Sequence, residues 1–189
     1  MSSCPVDIWT VDLEVARRLA LSPDEQTRMA RFRFERDRLH WGNARSALRA
    51  ILAGYLDCSP LEIGFSYGEH GKPAIAPNRG WEFNISHSRG WAMVAVAQKV
   101  PVGIDLETIR ETVEIAKLLD RIGETELTGT TRELFHVWTR REARTKAAGV
   151  PLMEIPSADL RVIDIVAPEG FAASLALIGA DPKPIYRTG

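Results

Sequence analysis

Apolar and polar positions alternate along this chain at two periods, and the switches between them divide it into strands and helices. Val6 to Leu13 alternates through Ile8, Trp9, Val11 and Leu13, which predicts an opening strand. Ser22-Pro23-Asp24-Glu25 places a hydroxyl, a proline and two acids where the open N–H groups of a helix start favour them. From Asp37 to Tyr55 the residues Leu39, Trp41, Ala44, Leu48, Ile51, Leu52 and Tyr55 recur at three- and four-residue spacing, the pattern of a long amphipathic helix, with Gly54 near its end. Short strands are expected at Ile63–Tyr67, Ala74–Ile75 and Trp81–Ile85, separated by turns rich in Gly and Pro. Gly90–Ala97 and Pro101–Glu107 read as longer strands. Thr112–Leu119 begins a second helical region, Gly123–Thr131 reads as a loop, and Leu134–Ala148 returns to helical spacing, closed by Gly149 and Pro151. Leu160–Val166 and Phe171–Ile178 supply two further strands.

An internal echo joins the two halves. The segment beginning Gly90-Trp91-Ala92 resembles the one beginning Gly170-Phe171-Ala172, each following a helix and an earlier strand. A duplication explains this, and so does the general look of any buried strand after a glycine turn. Pro101 stands near the boundary of the halves, and no low-complexity linker separates them. A shared interface is therefore expected, and such interfaces favour ligand sites.

Composition narrows the picture. At 189 residues the chain is long enough to bury a core without disulfides or structural metals. A formal charge of −1 argues against a general nucleic-acid binder. Cys4 and Cys58 lie far apart without metal-ligand spacing. The first residues lack the basic and apolar regions of a secretion signal, and the longest aliphatic stretch, Trp91 to Ala97, is too short to span a bilayer. A cytoplasmic protein with no membrane association is the expectation.

The residues with most chemical content are Asp105 and Glu107 in Gly103-Ile104-Asp105-Leu106-Glu107. Side chains two apart on a strand share a face about 7 Å apart along it, so the pair can converge on one hard cation. Alternating acids on a solvated strand have the same spacing. Trp138, Glu142 and Lys146 fall on one helix face at four-residue steps. Glu142 and Lys146 there form either a surface ion pair or, with the tryptophan turned inward, part of a desolvated site. Ser86, His87 and Ser88 end a predicted strand in a turn, where they either cap locally or donate to a phosphate. Gly71-Lys72-Pro73 fixes a lysine on a stiff turn. Arg28, Arg31, Arg33, Arg36, Arg38, Arg45 and Arg49 make the first helical region basic, a solvated face from which one or two can bind phosphate.

Taken in order, Gly71-Lys72-Pro73, Phe83-Asn84-Ile85-Ser86-His87-Ser88, Val102-Gly103-Ile104-Asp105-Leu106-Glu107 and Trp138-Thr139-Arg140-Arg141-Glu142-Ala143 with Lys146 resemble the signature motifs of the 4′-phosphopantetheinyl transferase superfamily, in its longer monomeric type. The resemblance implies an α+β fold of two similar lobes, residues 1–100 and 101–189, each a small antiparallel sheet packed with a long helix, with the active site between them. It implies transfer of the phosphopantetheine arm of coenzyme A to a serine of an acyl or peptidyl carrier protein, releasing adenosine 3′,5′-bisphosphate. Asp105, Glu107 and Glu142 then hold Mg²⁺, and Lys72, Ser86, His87, Arg45 and Arg28 contact the phosphates and nucleotide. Glu142 and Lys146 act in catalysis. Arg141 stands where the family usually has lysine, and 110–133 lacks the usual Phe-Phe-Ser-like stretch of the carrier-docking region. A coenzyme A or carrier-binding module without catalysis, and another metal-dependent phosphotransferase or hydrolase, are the alternatives.

Overall fold

The computed structural model describes every residue except 1, 2, 16, 112, 113, 122, 124–128, 155, 157 and 189. In chain order the elements are β1 (Ser3–Asp12), α1 (Pro23–Ala30), α2 (Glu35–Leu56), β2 (Gly64–Tyr67), β3 (Pro73–Ala76), β4 (Trp81–Ser88), β5 (Trp91–Gln98) and β6 (Val102–Thr108). They continue with α3 (Glu114–Arg121), α4 (Thr131–Ala148), β7 (Leu160–Asp164), β8 (Phe171–Ile178) and β9 (Asp181–Thr188). This is a mixed α+β fold, as expected. Residues 124–128 of the expected loop, and the first two residues of the expected helix at Thr112, lie outside the described residues.

Strand periodicity sets the layers. In the sheet ordered β4-β5-β1-β9, Val11, Ala92, Val94, Val96 and Phe83 face Leu48, Leu52 and Leu56 of α2. The alternate residues Val6, Ile8, Met93 and Ala95 meet Ile104, Leu106 and Leu175 from the sheet ordered β6-β8-β7. Ala143 and Ala147 of α4 pack with Ala176 on the far face of that second sheet. The order of layers is helix, sheet, sheet, helix, which buries one stripe of each long helix and both faces of the central strands.

Local signals place the helices. Glu25 reaches back to the Ser22 N–H (2.9 Å), and at the start of α4 Glu133 accepts from the Thr130 N–H (2.6 Å). Gly149 ends α4 at φ 70°. Gly103 is required for a different reason. A Cβ there would lie 2.1 Å from the Ala143 carbonyl oxygen and 2.3 Å from the Ala147 nitrogen, both backbone atoms. The missing side chain is what lets α4 lie directly on β6. Gly103→Ala is expected to destabilise the fold by about 3 kcal/mol, the upper end of the overpacking range, measured by denaturant unfolding. An unchanged midpoint would contradict this packing.

Two strand assignments differ from the expectation. β4 continues through Ser86, His87 and Ser88, which pair with Met93, Ala92 and Trp91 of β5 instead of turning. The final strand β9 was hidden by Pro182 and Pro184. It pairs in parallel with β1 at the edge of its sheet, where prolines are tolerated. The end of the chain thus returns to the sheet built from its first hundred residues. Among the described residues no helix is long and apolar enough to cross a membrane.

Candidate active site

Where the edges of β4 and β6 run side by side, three polar residues of β4 bridge the gap. Asn84 Oδ1 accepts from the Ile104 N–H (3.0 Å), Ser86 Oγ donates to Asp105 Oδ1 (2.9 Å), and Ser88 Oγ accepts from the Thr108 N–H (3.1 Å). Positions 84, 86 and 88 share one strand face, so one alternation ties the two sheets together along this seam. His87 lies on the opposite face. It lines a hollow of about 160 Å³ with Arg28, Trp41, Arg45 and Tyr67. Strand geometry therefore separates Ser86 from His87, which a turn would have kept together.

Asp105 is the centre of the seam. It is 3 % exposed, and its Oδ1 accepts from Ser86 and from Lys146 Nζ at 2.6 Å. Lys146 Nζ also donates to Ser86 Oγ (3.2 Å) and stands 4.0 Å from Glu142. Asp105 Oδ2 is buried with no hydrogen-bond partner among the described residues. Glu107 accepts from Ser88 Oγ at 3.2 Å. Burial raises the Glu107 pKa, and the Asp105 charge raises it further. Burial likewise raises Glu142, Lys146 opposes this, and Asp105 and Glu107 add to it. Glu107 and Glu142 thus each feel the Asp105 charge, and the two cations that act on them, Lys146 and Arg110, do not balance three carboxylates.

That imbalance is the condition a hard cation relieves. Three carboxylates, one with an unpaired buried oxygen, match in kind the oxygen donors such ions take. Among the described residues no three His, Cys, Asp or Glu groups are gathered closely enough to enclose a metal ion. The donors fit such an ion in chemistry, and in this structure the lysine ammonium holds Asp105.

The remaining expected residues sit at two adjoining hollows. Arg45 pairs with Glu25, donates to Tyr67 Oη (3.1 Å) and lies 3.9 Å from the centroid of the Phe65 ring. Arg28 lies over Trp41, 5.6 Å from its centroid. Burial, then the charges of Lys146 and His40, lower the His87 pKa. Lys72 lines a second hollow, of about 220 Å³, with Asn84, Thr145 and Lys146. Its Nζ donates to the carbonyls of Ala147 (3.0 Å) and Val102 (3.3 Å), and burial lowers its pKa. Lys72 therefore also links the β2–β3 turn to α4 and β6. Arg141 is buried and donates to the Leu152 (3.2 Å) and Glu154 (3.2 Å) carbonyls, fastening the connection after α4.

Sequence reasoning missed Glu25 and Tyr67 as partners of Arg45. Four-residue spacing of Arg45 and Arg49 on one helix, opposite an acid at a helix start, was the available signal for Glu25. For Tyr67 the sequence carries no such signal.

An α+β fold with a buried acid–lysine seam beside two basic hollows is suited to a phosphate ester, and relatives narrow that class. A family model described as 4′-phosphopantetheinyl transferase, N-terminal, matches residues 10–99. The chain is 34% identical over 162 residues to the 4′-phosphopantetheinyl transferase HetI of Nostoc sp. (strain PCC 7120), covering 76% of this chain and 68% of that protein. It is 30% identical over 155 residues to a 4′-phosphopantetheinyl transferase of Bacillus subtilis, covering 77% and 68%. It is 34% identical over 120 residues to the 4′-phosphopantetheinyl transferase AcpT of Escherichia coli (strain K12), covering 59% and 60%. The chain belongs to the 4′-phosphopantetheinyl transferase family.

Proposed function

We propose that the protein moves the phosphopantetheine arm of coenzyme A onto a serine of an acyl or peptidyl carrier protein, with residues 1–100 contributing nucleotide contacts and 101–189 the cation-binding carboxylates. The observation that carries this reading is Asp105, buried at the seam with one oxygen on Ser86 and Lys146 and the other unpaired. The serine oxygen attacks the phosphorus that bears pantetheine, the bond to adenosine 3′,5′-bisphosphate breaks, and the serine proton must leave. Glu142, on the same helix face as Lys146, takes that proton directly or through a water. Lys146 supplies positive charge to the leaving phosphate. Ser86, Lys72 and His87 hold the coenzyme A phosphates, and Arg45 and Arg28 its nucleotide.

Asp105, Glu107 and Glu142 would hold Mg²⁺, which when bound offsets charge on the pyrophosphate oxygens. Depleting divalent cations with a chelator is expected to stop transfer, and added Mg²⁺ to restore it. Full activity after chelation would remove the metal from the account. The site operates in the cytoplasm on a monomeric enzyme, without membrane or nucleic-acid partners.

A further inference from the structure

A cavity of about 530 Å³ lies on the flank of α2 opposite the Arg45 and His87 hollow and is more than twice the size of either hollow at the seam. Its volume is in the range that accommodates a small organic ligand. Trp9 and Val11 of β1 and Ala47, Ala50 and Ile51 of α2 form an apolar wall. Gly54 belongs to the same wall, and a Cβ built on it meets nothing within 4 Å.

The polar groups are confined to Asp7, Arg17, Tyr55 and Arg187. Asp7 is committed internally: Oδ2 accepts from Tyr55 Oη (2.6 Å) and Oδ1 from Arg187 Nε (3.0 Å). Tyr55 in turn accepts from Trp9 Nε1 (2.9 Å). Asp7 therefore answers Arg187. Arg17 is left over: its Nε is buried with no hydrogen-bond partner among the described residues. The lining thus carries one surplus positive charge beside an apolar wall. A guanidinium with no acid opposite it favours an anion.

We propose that this cavity binds a small apolar monocarboxylate, its hydrocarbon body against Trp9, Val11 and Ile51 and its carboxylate on Arg17. None of the residues of the proposed transfer site lines it, so the inference stands apart from that reading.

The Trp9 indole N–H gives a local readout in a ¹H–¹⁵N spectrum of the full chain. Titration with octanoate is expected to shift that resonance saturably, and 1-octanol, of the same length without the charge, to bind about tenfold more weakly. Arg17→Gln should weaken octanoate about tenfold and leave 1-octanol unchanged. Gly54→Leu, which fills the open space, should abolish the shift by both while the rest of the spectrum stays folded. No saturable shift at Trp9, equal binding of octanol and octanoate to the unsubstituted protein, or undiminished octanoate binding by Arg17→Gln would each overturn the proposal.

Discussion

Asp105→Asn is expected to lower transfer to a carrier serine by about 10²- to 10³-fold, the loss typical of disabling one stabiliser of a developing charge, because Asp105 holds Lys146 and, in the proposed mechanism, the cation. The substitution keeps the volume and leaves an acceptor for Ser86 Oγ, now 2.9 Å away, so the β4–β6 seam should hold. What disappears is the negative charge that pairs with Lys146 and, in the proposed mechanism, helps to hold the cation. The effect should fall on turnover more than on the apparent affinity for coenzyme A, because the charge matters most as the phosphorus–oxygen bond breaks. Circular dichroism and thermal unfolding would show whether the fold survives. A folded variant that retains more than about a tenth of the rate would remove Asp105 from the chemistry.

Glu25→Gln should be the most damaging substitution for stability. Glu25 is 3 % exposed and sits between Arg45 and Arg49, accepting from Arg49 at 2.7 and 3.0 Å. Arg49 is itself buried and also donates to the Pro60 (2.8 Å) and Ile63 (2.9 Å) carbonyls. Loss of the carboxylate charge leaves two guanidinium groups without it, at a cost of about 3–5 kcal/mol in denaturant unfolding. Burial acts to raise the Glu25 pKa, and hydrogen bonds from Arg49, the Ser22 N–H and Arg45 outweigh it, bringing it from 4.5 to about 2. A depressed folded-state value means that this stabilisation is complete above pH 4.5 and fades as pH falls toward 2. The stability difference between the unsubstituted protein and Glu25→Gln should therefore shrink across that window. A difference that stays constant would contradict the ion-pair assignment. Because Arg45 also lines the His87 hollow, the same substitution should weaken coenzyme A binding.

The long elements were legible in the sequence because their periodicity is set by burial. α2 and α4 carry apolar residues at helical spacing over many turns, and the stop at Gly149 requires the left-handed backbone that glycine adopts readily. The ends of strands were less legible. Ser86-His87-Ser88 has the composition of a turn, and only the approach of β6 makes its hydroxyls useful inside a strand. β9 is held by pairing with β1 some 180 residues earlier, as in the Arg187–Asp7 contact, and local pattern carries no trace of so distant a partner. The same division holds at the site. Asp105 stood out as an acid on an apolar strand, and Glu142 and Lys146 by their four-residue steps from Trp138 on one helix face. The Arg45–Glu25 pair and the linking role of Lys72 depend on which surfaces meet.

Transfer is tested most directly by the intact mass of apo acyl and peptidyl carrier proteins after incubation with the protein, coenzyme A and Mg²⁺. A carrier is expected to gain one phosphopantetheine arm on its serine, with equimolar release of adenosine 3′,5′-bisphosphate. Coenzyme A binding with no mass gain on any carrier of either type would contradict the proposed transfer.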